Sequence, residues 1–172
     1  MHLSKYVACI CEGTAEQVII NILLDNNKLI FTRANLIEED ILRCRSGKKF
    51  EEQYLRKGYI DKITVIRILD SRRENFKISK AYRHKIDVIN VITAPEIEML
   101  VILSEDKYKA YKASKKKPSE YCIQDLGYGN VKSKKFIETY FANVSVLTNA
   151  IREYKRVSNI SPKEYSLADI LA

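Results

Sequence analysis

Apolar runs and segments of helical spacing alternate along the first part of the chain. The stretches Tyr6–Cys11 (YVACIC) and Ile63–Leu69 (ITVIRIL) are apolar at nearly every position and have no helical period. Continuous apolar runs of this length are typical of strands covered on both faces. Between them, Thr14–Leu24 has apolar residues at helical spacing, with Thr14 as the N-cap and Gln17 completing a capping box. These patterns predict a strand followed by a helix, and a further buried strand.

The same patterns predict the remaining elements. Two more strands are expected at Leu29–Thr32 and Ile86–Ile92, and a long helix is expected from Glu96 to Tyr111, where Pro95 suits the first turn. Shorter amphipathic helical segments are predicted at Leu36–Leu42, Phe50–Leu55, Val131–Phe141, Val144–Tyr154 and Ser166–Leu171.

The order of these elements indicates the fold class. Strands that alternate with helices predict an α/β fold with a mainly parallel sheet flanked by helices. We expect an α/β domain over residues 1–112 and a helical C-terminal extension over residues 113–172, packed on it. The chain has no apolar run of the ~20 residues that span a bilayer, and its start lacks a secretory signal pattern. The sequence therefore favours a cytoplasmic protein without a membrane partner.

Positive charge is concentrated towards the C-terminus. The formal net charge is +8, and the segment 107–117 holds six lysines and no acid. Basic proteins often bind nucleic acid, because phosphate contacts release counterions. Within this tract, lysines alternate with tyrosines that could stack on bases, so the candidate nucleic-acid-binding residues are Tyr111, Lys112, Lys115, Lys116 and Lys117. The alternative is a solvated helix end with the tyrosines packed beneath it.

The cysteines and the known motifs exclude several classes of protein. Cys9, Cys11, Cys44 and Cys122 form no CxxC pair, and the chain has only two histidines, so buried reduced thiols are favoured over a zinc site. No GxSxG, P-loop or GxGxxG motif is present, which leaves no basis for a hydrolase elbow or for a nucleotide-binding loop.

Carboxylates occur at the predicted ends of the strands. Glu12 and Asp70 each follow a predicted strand directly, and Glu98 lies about one helical turn beyond a third. In a parallel sheet these ends share one edge, which is where ligands bind. Acids that gather there repel each other unless a cation lies between them, and Mg²⁺ takes such oxygen ligands. Taken singly, each acid could instead belong to a turn, a helix cap or a solvated helix face.

Three segments resemble motifs of Toprim domains. CEGTAEQVII is similar to the first Toprim motif, an apolar strand followed by E-G-x-x-E and an apolar helix, and ITVIRILDSR is similar to the strand that runs into D-x-D. TAPEIEMLVIL resembles the P-x-[FI]-E-x-[LW] stretch of RloB-like and OLD-family Toprim proteins, which are bacterial defence-associated nucleases or nuclease partners. The resemblance covers roughly residues 5–111.

The resemblance implies a nuclease that depends on Mg²⁺ or Mn²⁺ and cleaves DNA or RNA in anti-phage defence or in a toxin-like system. Glu12 matches the general acid/base or metal-associated group, Glu16 matches a position that is often acidic, and Asp70 matches the first Asp of D-x-D. Arg72 departs from the pattern, because it occupies the position of the second Asp.

Three interpretations of Arg72 stay open. Glu98 could replace the missing ligand, Glu12 and Asp70 could hold one metal, or the site could be degenerate. As a further possibility, Arg72 and Arg73 could hold a phosphate as bidentate donors, and Arg72 would serve catalysis by stabilising the developing negative charge. The alternative is that Arg72 pairs with Glu12 or Glu98 and neutralises an inert site. An ATPase partner is implied as well, since the chain has no nucleotide motif.

The alternative function is a catalytically silent module that binds nucleic acid or a partner ATPase. Cleavage specificity and the choice between a monomer and a homo-oligomer stay open.

Overall fold

Three parallel strands form the centre of the protein. The computed structural model describes residues 2–56, 61–71, 75–93, 96–161 and 163–172. Its sheet has the order β1 (Tyr6–Cys11), β2 (Ile63–Leu69), β3 (Ile86–Ile92), and both pairs of neighbours are parallel. The expected α/β class with a mainly parallel sheet is therefore confirmed. All seven positions of β2 are buried, as expected for the middle strand of a covered sheet.

The register brings the carboxyl ends of the strands to one level. Cys11 in β1 lies opposite Ile68 in β2, and Leu69 lies opposite Ile92 in β3. The backbone N–H of Glu12 continues the ladder to the carbonyl of Ile68 at 3.1 Å. Residues that directly follow the strands therefore meet at the same edge of the sheet.

Seven α-helices within the described residues flank the sheet. They are α1 (Thr14–Asp25), α2 (Gly47–Phe50, continued by a π-helical turn over Glu51–Leu55), α3 (Glu96–Ser104), α4 (Tyr108–Ser114), α5 (Pro118–Gln124), α6 (Lys134–Tyr140) and α7 (Val144–Val157). Short 3₁₀ turns occur at Arg33–Asn35, Arg83–Lys85 and Leu167–Ile170. None of the described helices combines the length and the apolar character needed to cross a bilayer.

Successive side chains of the strands point to opposite faces of the sheet and contribute to two hydrophobic layers. Cys9 and Cys11 point into the larger layer, which also contains Phe141 from the end of α6. Ala8 and Ile10 point into the smaller layer, which is closed by Phe50 among others. Because successive strand residues face opposite sides, a single short strand can supply both layers. The C-terminal helices share the larger layer with the sheet, and the domain boundary at residue 112 stays a prediction.

Two predicted elements near β1 are wrong. Leu29–Thr32 does not join the sheet, because Leu29 forms an antiparallel bridge with Leu171 near the end of the chain. Leu36–Leu42 is not a helix: its two ends form parallel bridges with Val7 and Ile10 of β1. The backbone groups at an open strand edge need partners, and this segment supplies some of them.

Two predicted helices also differ from the structure. The expected helix from Glu96 to Tyr111 is interrupted after Ser104 by a Schellman motif, in which Asp106 has a φ of 54° and the Lys107 N–H donates to the carbonyl of Ile102 at 3.1 Å. Aspartate adopts this left-handed conformation more readily than most residues, so the motif ends α3. The last predicted helix is only the 3₁₀ turn Leu167–Ile170.

The start of α2 lies close to the backbone of Lys77. A Cβ at Gly47 would be only 2.1 Å from the Lys77 carbonyl oxygen, a backbone atom that cannot easily move. We therefore expect Gly47→Ala to lower the free energy of unfolding by about 1–3 kcal/mol, as measured by urea denaturation. Gly129→Ala is the control, because no atom lies within 4 Å of its added Cβ, and its effect should stay within about 0.5 kcal/mol. Equal stabilities of the two variants would contradict the close approach.

Candidate active site at the carboxyl ends of the strands

Glu12 and Asp70 meet across the ends of β1 and β2. The carboxylate of Glu12 accepts a hydrogen bond from the backbone N–H of Asp70, with Oε2 and N 3.3 Å apart. This contact is possible because the register ends both strands at the same level. The two residues that sequence analysis placed on separate strand ends therefore belong to one group.

Glu16 explains why glycine follows Glu12. Glu16 lies in the first turn of α1, and only 5% of it is exposed. Its side chain folds back over Gly13, where an added Cβ would lie 2.2 Å from Oε2. Gly13 has an extended backbone with φ of −111°, so it is needed for space and not for an unusual conformation. The E-G-x-x-E pattern thus places a buried second carboxylate beside Glu12.

Glu98 is a buried acid on the first turn of α3. It is 7% exposed, and its Oε1 forms an ion pair with Nζ of Lys132 at 3.1 Å. Its Oε2 is also buried and has no hydrogen-bond partner among the described residues. A buried carboxylate oxygen without a partner costs free energy, so this atom is a place where a cation or a donor would be stabilising.

The acids of this edge interact electrostatically. Burial raises the pKa of Glu16, the charges of Asp70 and Glu98 raise it further, and Lys132 opposes them. Asp70 and Glu98 are therefore near enough to Glu16 for their charges to raise its pKa. We name Glu12, Glu16, Asp70 and Glu98 the acid cluster.

Two arginines that sequence analysis missed lie beside the acid cluster. Arg43 and Arg45 line a pocket of about 220 Å³ together with Glu12 and Gly13. The guanidinium of Arg45 donates to the backbone carbonyl of Glu12, and that of Arg43 donates to Oε1 of Gln17 at 2.7 Å. The pocket combines the carboxylate of Glu12 with two arginines that can act as bidentate donors to a phosphate.

The donor chemistry of the acid cluster fits a hard divalent cation. Its side chains offer carboxylate oxygens, the ligands preferred by Mg²⁺ and Mn²⁺, and the buried Oε2 of Glu98 lacks a partner among the described residues. No three His, Cys, Asp or Glu side chains in the described part of the chain are already gathered as a metal-binding group.

The cysteines do not supply a nucleophile. All four are buried and free, which confirms the expected reduced thiols. Burial raises the pKa of the Cys122 thiol to about 11, and the charge of Glu98 raises it as well. Because only the thiolate is reactive, Cys122 is an inert neighbour of the acid cluster at neutral pH.

The predicted nucleic-acid-binding lysines begin beyond the far end of α3, and the tract leads into α5, whose Ser119 lines a pocket together with Glu98. α3 has nine residues, so its far end is about 13 Å from its start near Glu98, and the lysine tract follows that far end. Lys116 pairs with Asp125 at 2.5 Å, and the ring of Tyr111 packs edge-on against Tyr121 at 5.5 Å. Lys112 and Lys117 are exposed, and Lys115 ends α4 in a left-handed conformation.

The binding role of this tract stays a prediction, with Tyr111 partly buried against its neighbour and not open on both faces. Arg72 and Arg73 lie outside the described residues. Their predicted catalytic and phosphate-binding roles stay predictions too.

Comparison with known proteins gave no match to a protein-family model, to a curated protein or to a solved structure. The resemblance to Toprim domains therefore stays a prediction that depends on Glu12, Gly13, Glu16 and Asp70.

The raised pKa of Glu16 predicts a pH-dependent stability. The folded protein holds this proton more tightly than the unfolded chain does, so the contribution is complete below pH 4.5, the ordinary pKa, and is lost as the pH rises through the raised value. Glu16→Gln is uncharged at every pH. In buffer with EDTA, the variant should be more stable than the wild type at neutral pH and similar to it below pH 4.5, as measured by urea unfolding.

Glu52→Gln provides the control, because Glu52 is exposed and the change removes the same charge. Its unfolding midpoint should follow the wild type at both pH values. A Glu16→Gln variant that is less stable than the wild type only at neutral pH would contradict the assignment.

Proposed function

We propose that this protein is a phosphodiesterase that cleaves DNA or RNA with the help of Mg²⁺ or Mn²⁺. The observation that carries the proposal is the acid cluster itself. Glu12 follows β1, Asp70 follows β2, and the buried Glu98 lies on the helix after β3, while two arginines line the adjoining pocket. Phosphoryl transfer needs both kinds of group: acids that hold a metal ion and donors that hold phosphate oxygens.

The residues of the cluster take different parts in this reaction. Glu12 accepts the proton of the attacking water, and the N–H of Asp70 fixes the orientation of its carboxylate. Asp70 and Glu98 would hold the cation, which would supply positive charge to the phosphoryl oxygens. Glu16 has a raised pKa and therefore takes up a proton more readily than an ordinary glutamate, so it is placed to protonate the leaving oxygen.

The arginines hold the substrate. Arg43 and Arg45 present forked guanidinium groups to the same pocket as Glu12, and such groups match two phosphate oxygens at once. Their hydrogen bonds to Gln17 and to the Glu12 carbonyl limit their rotation. A phosphate held between them lies beside Glu12, the proposed base. The reacting groups are then already close together, which lowers the entropic part of the barrier.

One observation favours a second candidate, a silent module that binds nucleic acid or a partner protein. Lys132 is a half-exposed cation of the chain itself that already pairs with the buried Glu98 at 3.1 Å. A lysine in this place offsets part of the charge that a metal ion would neutralise. In this case the fold would keep the acid cluster together without metal and without cleavage.

Cleavage assays distinguish the two candidates. Purified protein is incubated with labelled DNA and RNA in the presence of Mg²⁺, Mn²⁺ or EDTA. We expect cleavage that depends on the metal and that falls about 100-fold or more in Glu12→Gln, because the proton acceptor is lost. Glu52→Gln, an exposed change of the same kind, should leave the rate unchanged. Binding without cleavage under all metal conditions would reject the enzyme and support the module.

A further inference from the structure

A continuous groove runs past Glu12. Three pockets adjoin: one of about 490 Å³ that includes Lys48 and Lys77, the pocket of about 220 Å³ that includes Glu12, and one of about 240 Å³ along α1. Arg45 lines the first two pockets, and Arg43 lines the second and the third. Arg43 and Arg45 therefore lie at the boundaries between neighbouring pockets.

The local sequence R-C-R-S-G-K-K builds one wall of this groove. Cys44 is buried, so the extended chain turns Arg43 and Arg45 outward on the same face. The close approach of Gly47 to the Lys77 backbone then brings the segment around Lys77 next to this wall. Cations from two distant parts of the sequence thus line one pocket.

The two arms of the groove differ in charge. In the arm along α1, Asp25 pairs with Arg33 at 2.6 Å, and Glu138 lies 3.7 Å from Lys134, so positive and negative groups alternate. Among the described residues, the lining of the other arm includes the cations Arg45, Lys48 and Lys77 and no acid. Within the described ranges, none of these three cations forms an ion pair with an acidic side chain. We name this second arm the basic arm.

We propose that the basic arm binds the phosphate backbone of a single-stranded nucleic acid and leads it to Glu12. This inference rests on the proposed function, since it supplies the path by which the substrate reaches the acid cluster. It also separates the binding surface from the lysine tract 107–117, which follows the far end of α3. The arm ends at Arg45, so a strand that follows it arrives directly beside the Glu12 carbonyl.

The shape and the charge of the arm identify this partner. A pocket of about 490 Å³ is larger than one phosphate needs, and three cations from two separate segments of the chain line it. Repeated anionic groups along a flexible chain match this arrangement. A single strand can bend into the narrower pocket at Glu12, whereas an intact duplex can only lie across its mouth.

Binding can be measured without cleavage. The full-length protein is titrated into a labelled single-stranded oligonucleotide in EDTA, and fluorescence anisotropy is followed over a range of salt concentrations. The double variant Lys48→Ala/Lys77→Ala is compared with Lys28→Ala/Lys163→Ala, which removes the same charge from exposed positions outside both the basic arm and the lysine tract 107–117. We expect the first variant to bind about tenfold more weakly or worse, with a salt slope lower by about 1.4.

The control variant should bind within about twofold of the wild type, because it keeps the basic arm. Equal losses in the two variants, or a larger loss in the control, would overturn the proposal in favour of diffuse electrostatic attraction. A duplex or a polyglutamate competitor that displaces the labelled strand as well as unlabelled single strand does would overturn it too.

The outcome is separable from that of the proposed function. If Lys48→Ala/Lys77→Ala loses strand binding while no preparation cleaves, the result supports binding at the basic arm and rejects the proposed nuclease activity. If the wild type cleaves and this variant cleaves and binds equally well, the nuclease stands and the basic arm fails. Glu12→Gln should keep strand binding, because Glu12 contributes no positive charge to the groove.

Discussion

Buried carboxylates that lie close together are unfavourable, because each one loses its hydration and repels the others. Glu16 and Glu98 are 5% and 7% exposed, and Asp70 adds a further negative charge to the same edge. Lys132 is the cation that the described structure provides for this group. The acids stay together only if the packing of the surrounding elements offsets the unfavourable free energy of burying them. This requirement explains much of the remaining architecture.

The sheet and the helices around it provide that packing. β2 is buried at every position, and α3, which carries Glu98, begins on the same edge where β1 and β2 end. The tail helices join the larger hydrophobic layer, where Phe141 is fully buried. Glu105, near the end of α3, accepts hydrogen bonds from the hydroxyls of Tyr128 and Tyr140, at 3.0 and 2.6 Å. These bonds hold the connection between α5 and α6, from which Lys132 extends.

Local patterns predicted the strands better than the segments between them. The three sheet strands have the expected bounds. For β1 and β2 the reason is an almost unbroken apolar run, which favours a strand covered on both faces. Leu36–Leu42 has a spacing that fits a helix, but its conformation depends on the edge of β1, which no local pattern contains. The break in the predicted helix depends on the left-handed conformation of Asp106. Aspartate can adopt this conformation, but the sequence alone does not indicate that it does so here.

The candidate site was predictable in the same uneven way. That Glu12 and Asp70 meet follows from two strands that end at one level, so the sequence order was enough. The ion pair of Lys132 was not predictable, because nothing in the sequence around a lysine in a connecting segment indicates a partner as distant along the chain as Glu98. Arg43 and Arg45 did leave a signal: they flank a cysteine, and a buried Cys44 requires both to face outward.

The ion pair between Glu98 and Lys132 has a consequence for the protein as a whole. One half belongs to the helix that follows the last strand, and the other belongs to the C-terminal helical region. The charge balance of the acids and the packing of the C-terminal helical region are therefore thermodynamically linked. A ligand that competes for Glu98 or for Lys132 also changes the stability of the contact between the two regions. A fragment without Lys132 would lose this counterion of Glu98, and the acids at the strand ends would then carry more uncompensated negative charge.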